Sequence, residues 1–372
     1  MKKLILIAAS AVFMASCSPT TNLDNNLTMV VGTYTDTGSE GLYSFRFNQS
    51  TGQATLLDSC KLDNPSYLRF SRNGDKIYAI SELDESSSCV TALNFNKDNG
   101  SFSILNSEAT QGSPCYISTN GKIVVTANYG GGTLSVLPLA DDGSLLPLDT
   151  LFTGGIGGPD SIRQNVPHIH CAEFSPDMRR LFVSDFSAER LLCFNVADDG
   201  SSITPMRDQN NSQITIPVRS DYGPRHIIFD QDGSHAYVLG ELSGCITVFD
   251  VADGIMTEKQ IIDADLYDGR ASADIHLSPD GRFLYSSNRR QGDGIAIFSV
   301  NNESGELNYI AYQPTALHPR HFNITPNGQF LLAACRDSNV IEIYSRDIES
   351  GLLSPTGNTI TLPKPVCVQF SL

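Results

Sequence analysis

Hydrophobic and polar positions alternate with a period of two through most of the chain, and helical periodicity is nearly absent. Alternating runs at 42–47, 90–95, 134–139, 191–196, 246–251, 295–300 and 340–344 each lead into a short turn containing Gly and an Asp or Asn, at 48–52, 96–100, 140–143, 197–200, 252–254, 301–305 and 347–351. Such turns reverse the chain through positive φ, so the pattern predicts seven β-hairpins. A second pattern, strand, Pro-Asp-Gly-like turn, strand, recurs at 65–82, 114–129, 169–186, 224–241, 272–289 and 319–336. A seventh copy is divided between the ends of the chain, its first strand at 364–371 and its second at 29–34. Four strands per repeat at near-regular spacing predict an all-β, seven-bladed β-propeller of four-stranded antiparallel blades, its ring closed by N-terminal strands pairing with the C-terminal one. The chain contains no Trp, which excludes the Trp-Asp class of propeller repeat.

A chain of 372 residues with 40% hydrophobic content can bury the core of one repeat-built domain, expected over 28–372. Its formal charge of −16 repels phosphate backbones, so nucleic acid is not an expected partner and any anion site must be a local basic patch. Lys2 and Lys3 precede an apolar run from Leu4 to about Met14, then Ala15, Ser16 and Cys17, the outline of a signal peptide and too short to span a bilayer. Met14-Ala15-Ser16-Cys17 resembles a bacterial lipobox with Met in place of the usual Leu. Residues 1–17 are therefore expected to direct export, Cys17 to carry a lipid anchor, 18–27 to be a linker, and the protein to work as a periplasmic or cell-envelope lipoprotein. Of the remaining cysteines, Cys89, Cys193 and Cys245 sit inside apolar alternations, where free buried thiols are expected rather than a disulfide framework. No zinc spacing or cofactor motif occurs.

In a four-stranded blade the start of the innermost strand and the end of the second meet at one rim. The first of these positions is Ser66, Cys115, His170, Arg225, Ala273 and Arg320 in successive blades; the second is Glu82, Tyr129, Phe186, Glu241, Arg289 and Arg336, with Asn128, Asp185 and Asn288 one residue earlier. A ring of Arg, Glu and His in shared register would give an acidic protein an anion site with general-base candidates.

The same residues carry a family resemblance. Val31-Gly32-Thr33-Tyr34, Asn64-Pro65-Ser66, Ala127-Asn128-Tyr129-Gly130-Gly131-Gly132, Pro167-His168-Ile169-His170, Gly223-Pro224-Arg225-His226, Ser287-Asn288-Arg289 and His318-Pro319-Arg320-His321, in this order, resemble the propeller-type 6-phosphogluconolactonases from about Thr28 to Leu372. That superfamily includes a carboxymuconate lactonising enzyme with a proposed site of one His, two Arg and one Glu; the resemblance places these at His168 or His170, Arg225, Glu241 and Arg289.

The resemblance implies a small-molecule lactone as substrate. Hydrolysis needs a water made nucleophilic and a place for the charge that develops on the carbonyl oxygen. His170 or His168 is the expected base, with Glu241 second; Arg225 and Arg289 would face the oxyanion and the carboxylate product. Arg320 or Arg336 could hold a phosphate, Glu82 shares their rim, and Asn128 and Tyr129 would orient sugar hydroxyls. His168 and His170 share a strand face and could instead bind a metal, though no third ligand is evident. The run 154–159 lacks the Lys-Ser/Thr of a phosphate loop and reads as a flexible loop near the mouth, and no Gly-x-Ser-x-Gly elbow supports an acyl-enzyme. Export argues for an unphosphorylated lactone; lactonisation of an unsaturated diacid, and a non-catalytic propeller binding carbohydrate or protein, are the competing readings. A ring closed by its own termini is expected as a monomer.

Overall fold

The computed structural model describes residues 25–371. The expected signal peptide and Cys17 lie outside the described residues, as does most of the 18–27 linker; the first strand, Asn26–Thr33, takes in the linker's last two residues.

The seven hairpin turns are present, and their glycines, Gly52, Gly100, Gly143, Gly200, Gly254, Gly305 and Gly351, all have φ between 68° and 85°. The second turn has its own lock. In Ser71–Lys76, Ser175–Arg180, Ser278–Phe283 and Thr325–Phe330 the first residue's hydroxyl oxygen accepts the backbone N–H of the last, which fixes where the strand restarts.

These turns assemble seven antiparallel sheets in chain order. The split blade runs Pro365–Ser371, Asn26–Thr33, Gly41–Asn48, Gln53–Lys61 from inside outward. Thr28 pairs with Ser371 and Val31 with Val368, so the chain ends close the ring through a backbone ladder. Inner strands of successive blades touch in turn from Pro319–Ile324 through Pro365–Ser371 and Leu68–Phe70 round to Ile275–Leu277, and there the second strand, Phe283–Asn288, meets Pro319–Ile324. One blade departs from the pattern: its outer edge is two short pieces, Ile203–Pro205 and Thr215–Pro217, both paired with Arg190–Val196.

The core lies between blades. Second strands such as Ile123–Asn128 and Phe330–Cys335 are buried on both faces, because neighbouring blades cover them, whereas outer strands such as Gln53–Lys61 alternate toward solvent. Among the described residues eight cysteines are free, six of them buried and Cys60 and Cys89 half-buried.

Candidate active site

Five innermost strands are preceded by a residue in the left-handed region immediately before a proline: Asn64 (φ 44°), Ser113 (40°), Gly223 (58°), His318 (63°) and Lys364 (39°). Just beyond, the register with the second strand slips, between Pro114 and Tyr116, Ile169 and Cys171, Pro224 and Ile227, and Pro319 and His321. The residues left unpaired are Cys115, His170, Arg225 with His226, and Arg320. A bulge re-aims a side chain, and Cys115, His170, Arg225 and Arg320 all line one cavity. Kink and bulge together in the strands of Cys115, Arg225 and Arg320, and the bulge alone in that of His170, build a convergent site from an ordinary blade.

The result is a cavity of about 480 Å³ lined by Glu82, Cys115, Tyr129, Arg163, His170, Arg225, Glu241, Arg289, Arg290, His318, Arg320, Arg336 and Asp337. Six arginines face three carboxylates here, in a chain whose net charge is −16. Glu241 is the hub: Oε2 accepts from Arg225 NH1 at 2.7 Å, and Oε1 lies 2.6 Å from Arg163 NH2 and 3.3 Å from Arg289 NH2. Burial alone would raise its carboxyl, but Arg225, Arg289 and Arg163 hold it well below the ordinary range. Arg225 and Arg289 are themselves fixed from behind, Nε of each donating to a backbone carbonyl, Ala273 and Ala271, at 2.6 and 2.7 Å.

Arg225 also donates to Nε2 of His170. A guanidinium only donates, so this nitrogen is the acceptor and the ring is neutral with its proton on Nδ1, toward Cys115 Sγ at 3.6 Å. Burial first and Arg225 second keep His170 neutral, well below the ordinary histidine range. His318 shows the same logic at the mouth. Its Nε2 lies 3.3 Å from Arg289 NH1 and its Nδ1 3.3 Å from Arg336 NH2 and 3.2 Å from Asp337 Oδ2, so each ring nitrogen meets a guanidinium, and burial with Arg289 and Arg336 lowers its pKa to about 3. Arg320 pairs with Glu82 at 3.5 Å and stands over the Tyr34 ring, whose hydroxyl donates to Glu82.

Two expected residues are elsewhere. Asn128 is fully buried, with Nδ2 bonded to Thr133 and Ser135 and Oδ1 accepting from Thr126, so its amide ties the turn between the second and third strands and is not offered to a ligand. His168 lies flat behind Tyr129, rings 4.0 Å apart and 5° from parallel, with Nδ1 on Tyr129 O at 2.6 Å. It supports the Tyr129 wall and does not join His170 around a metal. Four lining residues were not singled out as site residues in the sequence. Arg290, His318 and Asp337 are chain neighbours of Arg289, Pro319-Arg320 and Arg336, so the motifs already pointed at them; Arg163 sits outside the repeat.

The other end of the axis holds a metal-like cluster, Asp274, His276 and His321, with Asp274 Oδ2 at 3.0 Å from His276 Nε2 and 3.6 Å from His321 Nε2. His321 Nδ1, however, accepts the Val368 N–H at 3.3 Å, so its proton is on Nε2, the atom a metal would need. Asp274 instead accepts from His226 at 2.8 Å and from the Phe322 N–H at 3.1 Å, tying three blades together.

With this geometry, the family model for seven-bladed β-propeller lactonases matches residues 28–370. The chain belongs to this lactonase family. Proteins named 6-phosphogluconolactonase from Formosa agariphila and Bacillus subtilis are each 34% identical to this lactonase-family chain, covering 87% and 91% of it and 94% and 97% of themselves. Among solved structures, a Bacteroides uniformis chain superposes with a TM-score of 0.90 at 50% identity, over 93% of the present chain and 99% of its own. A Pseudomonas aeruginosa protein described as a periplasmic gluconolactonase does so with a TM-score of 0.86 at 28% identity, again over 93% and 99%. The lactonase fold and the arginine-lined cavity thus come together on one chain.

Proposed function

We propose that this chain hydrolyses a sugar lactone in the axial cavity. The observation that carries the reading is the pair Arg225 and Arg289, each anchored through Nε to a backbone carbonyl and each lining a cavity within the roughly 300–1,000 Å³ range of small-molecule sites. Guanidinium groups fixed in advance need no reorganisation when charge develops on the lactone carbonyl oxygen, and they suit the carboxylate product equally. Water attacks C1, its proton passing to an imidazole of the wall. The C1–ring-oxygen bond then breaks, the leaving oxygen takes that proton, and the new acid ionises to solvent. His170 and His318 are the two neutral imidazoles on the wall, and each must exchange an arginine contact for the attacking water to serve as its base; Glu241 stays an anion held by three guanidiniums.

An unphosphorylated aldonolactone is the preferred substrate. The N-terminal segment reads as an export signal with Cys17 as lipid attachment point, and phosphorylated sugar lactones are cytoplasmic compounds. The periplasmic gluconolactonase from P. aeruginosa is a relative of matching chemistry. The protein is proposed to act as a monomer.

Proton release from gluconolactone and from 6-phosphogluconolactone, against a spontaneous-hydrolysis blank, tests this. Wild-type acceleration that falls about 10²–10³-fold in Arg225→Ala, the loss typical of removing one preorganised donor, is expected. A folded wild type that accelerates neither, yet binds gluconate, would instead support a binding propeller. Parallel His170→Gln and His318→Gln variants identify the imidazole, since the base variant loses kcat while keeping gluconate affinity.

A further inference from the structure

Glu241 is held by three guanidiniums, and the third differs from the other two. Arg225 and Arg289 come from blade strands, are 4% and 5% exposed, and have their Nε groups tied to backbone. Arg163 comes from the segment between two blades, is 26% exposed, and meets the site only through its head: Glu241 at 2.6 Å and the Tyr129 hydroxyl, with the guanidinium 5.5 Å over the Phe186 ring.

Its backbone, by contrast, is firmly mounted. Asp160 Oδ1 accepts the N–H groups of Ile162 and Arg163, both at 3.0 Å, forming a local turn. Asp160 Oδ2 lies 3.4 Å from Arg270, which grips Asp221 with both terminal nitrogens at 2.8 and 2.7 Å. On the other side Gln164 is buried, donating to Phe186 O at 2.9 Å and to Glu189 at 2.6 Å. Several polar contacts outside the cavity thus hold one arginine at its edge, while its head is held by side chains alone, Glu241 and Tyr129, with no backbone carbonyl behind it.

We propose that Arg163 is a substrate-binding residue that exchanges its bond to Glu241 for one to the C1 oxygens of the lactone and its carboxylate product, and that Asp160, Arg270 and Asp221 are positioning residues for it. The exchange leaves no buried charge alone, because Glu241 keeps Arg225 and Arg289. It also explains a cavity edge built from outside the blade repeat: four strand-end positions on rigid blades define the floor, and one adaptable cation closes over the anionic end.

This assignment rests on the lactonase reading, and gluconate affinity tests it separately from turnover. Arg163→Ala is expected to weaken gluconate inhibition or binding at least 10-fold and to lower kcat/KM by 10- to 100-fold, with Arg163→Lys recovering part of each. Asp160→Asn and Arg270→Ala, neither lining the cavity, are expected to lower gluconate affinity three- to tenfold. Those losses should vanish in an Arg163→Ala background, where there is nothing left to position. Arg163→Ala within twofold of wild type in both readouts would overturn the assignment. So would an Asp160→Asn effect that persists at full size in the Arg163→Ala background, the mark of a merely structural role. A wild type that binds gluconate and hydrolyses neither lactone would overturn the hydrolase reading alone, leaving Arg163 to be judged on affinity.

Discussion

At Glu241 a single carboxylate balances three guanidiniums within hydrogen-bonding or ion-pair distance, and the balance is lost if the charge is removed. Glu241→Gln leaves buried cations facing one another, so it is expected to cost roughly 3–5 kcal/mol of stability, the range for breaking a buried pair from one side. Urea unfolding of the variant measures this; a midpoint equal to wild type would show that the cavity's solvent screens the arginines. His170 carries the complementary lesson. Its position was legible from register, but the state of its ring was not, because that depends on which nitrogen meets Arg225. Asn128 was misread for a related reason: it precedes a rim position by one residue, and in a strand one residue is the difference between two faces.

Within the blade, the second turn shows how a repeat tolerates an exception. Gly74, Gly281 and Gly328 occupy its left-handed position at φ 73°, 69° and 72°, while the blade containing His170 places Met178 there at φ 59°. Met178 is 48% exposed, so its side chain earns little packing in return for a conformation unfavourable to a residue with a Cβ. Met178→Gly is expected to stabilise the protein by about 0.5–1 kcal/mol, the strain relieved exceeding the added unfolded-chain entropy. A rise in thermal midpoint checks it, and a fall would mean that the methionine contacts matter more than its backbone. The hairpins and second turns were readable because turn chemistry is local. The bulges that aim Cys115, His170, Arg225 and Arg320 were not, since a slip in pairing leaves no mark in a single strand's sequence, and Arg163 was invisible because the register argument extends only to residues inside the repeat.

For the whole molecule, the axis stacks buried histidines that the fold keeps neutral. Burial lowers His226 to about 4 and His321 to about 3, with nearby Asp274 opposing the shift and Arg225 or Arg69 adding to it; His276 faces both. In the unfolded chain histidine binds its proton near pH 6.5, so between that value and the folded ones the unfolded state holds more protons. Stability is therefore expected to fall as pH drops below about 7, by roughly 2 kcal/mol for each of these histidines at pH 5. Glu241 and Asp274, held below the ordinary carboxyl range, add a further loss in the same direction below about pH 4. Thermal midpoints at pH 7, 6 and 5 test the slope; a flat or rising series as pH falls would contradict it.

The ring closure has a mechanical consequence. Asn26–Thr33 lies inside its blade, paired on one side with Gly41–Asn48 and on the other with Pro365–Ser371. A force applied along the chain through Asn25 does not peel a frayed edge one bond at a time. It loads two hydrogen-bonded ladders at once, one of them to the strand Pro365–Ser371, so a tether at the N-terminus would pull on the seam that holds the ring shut.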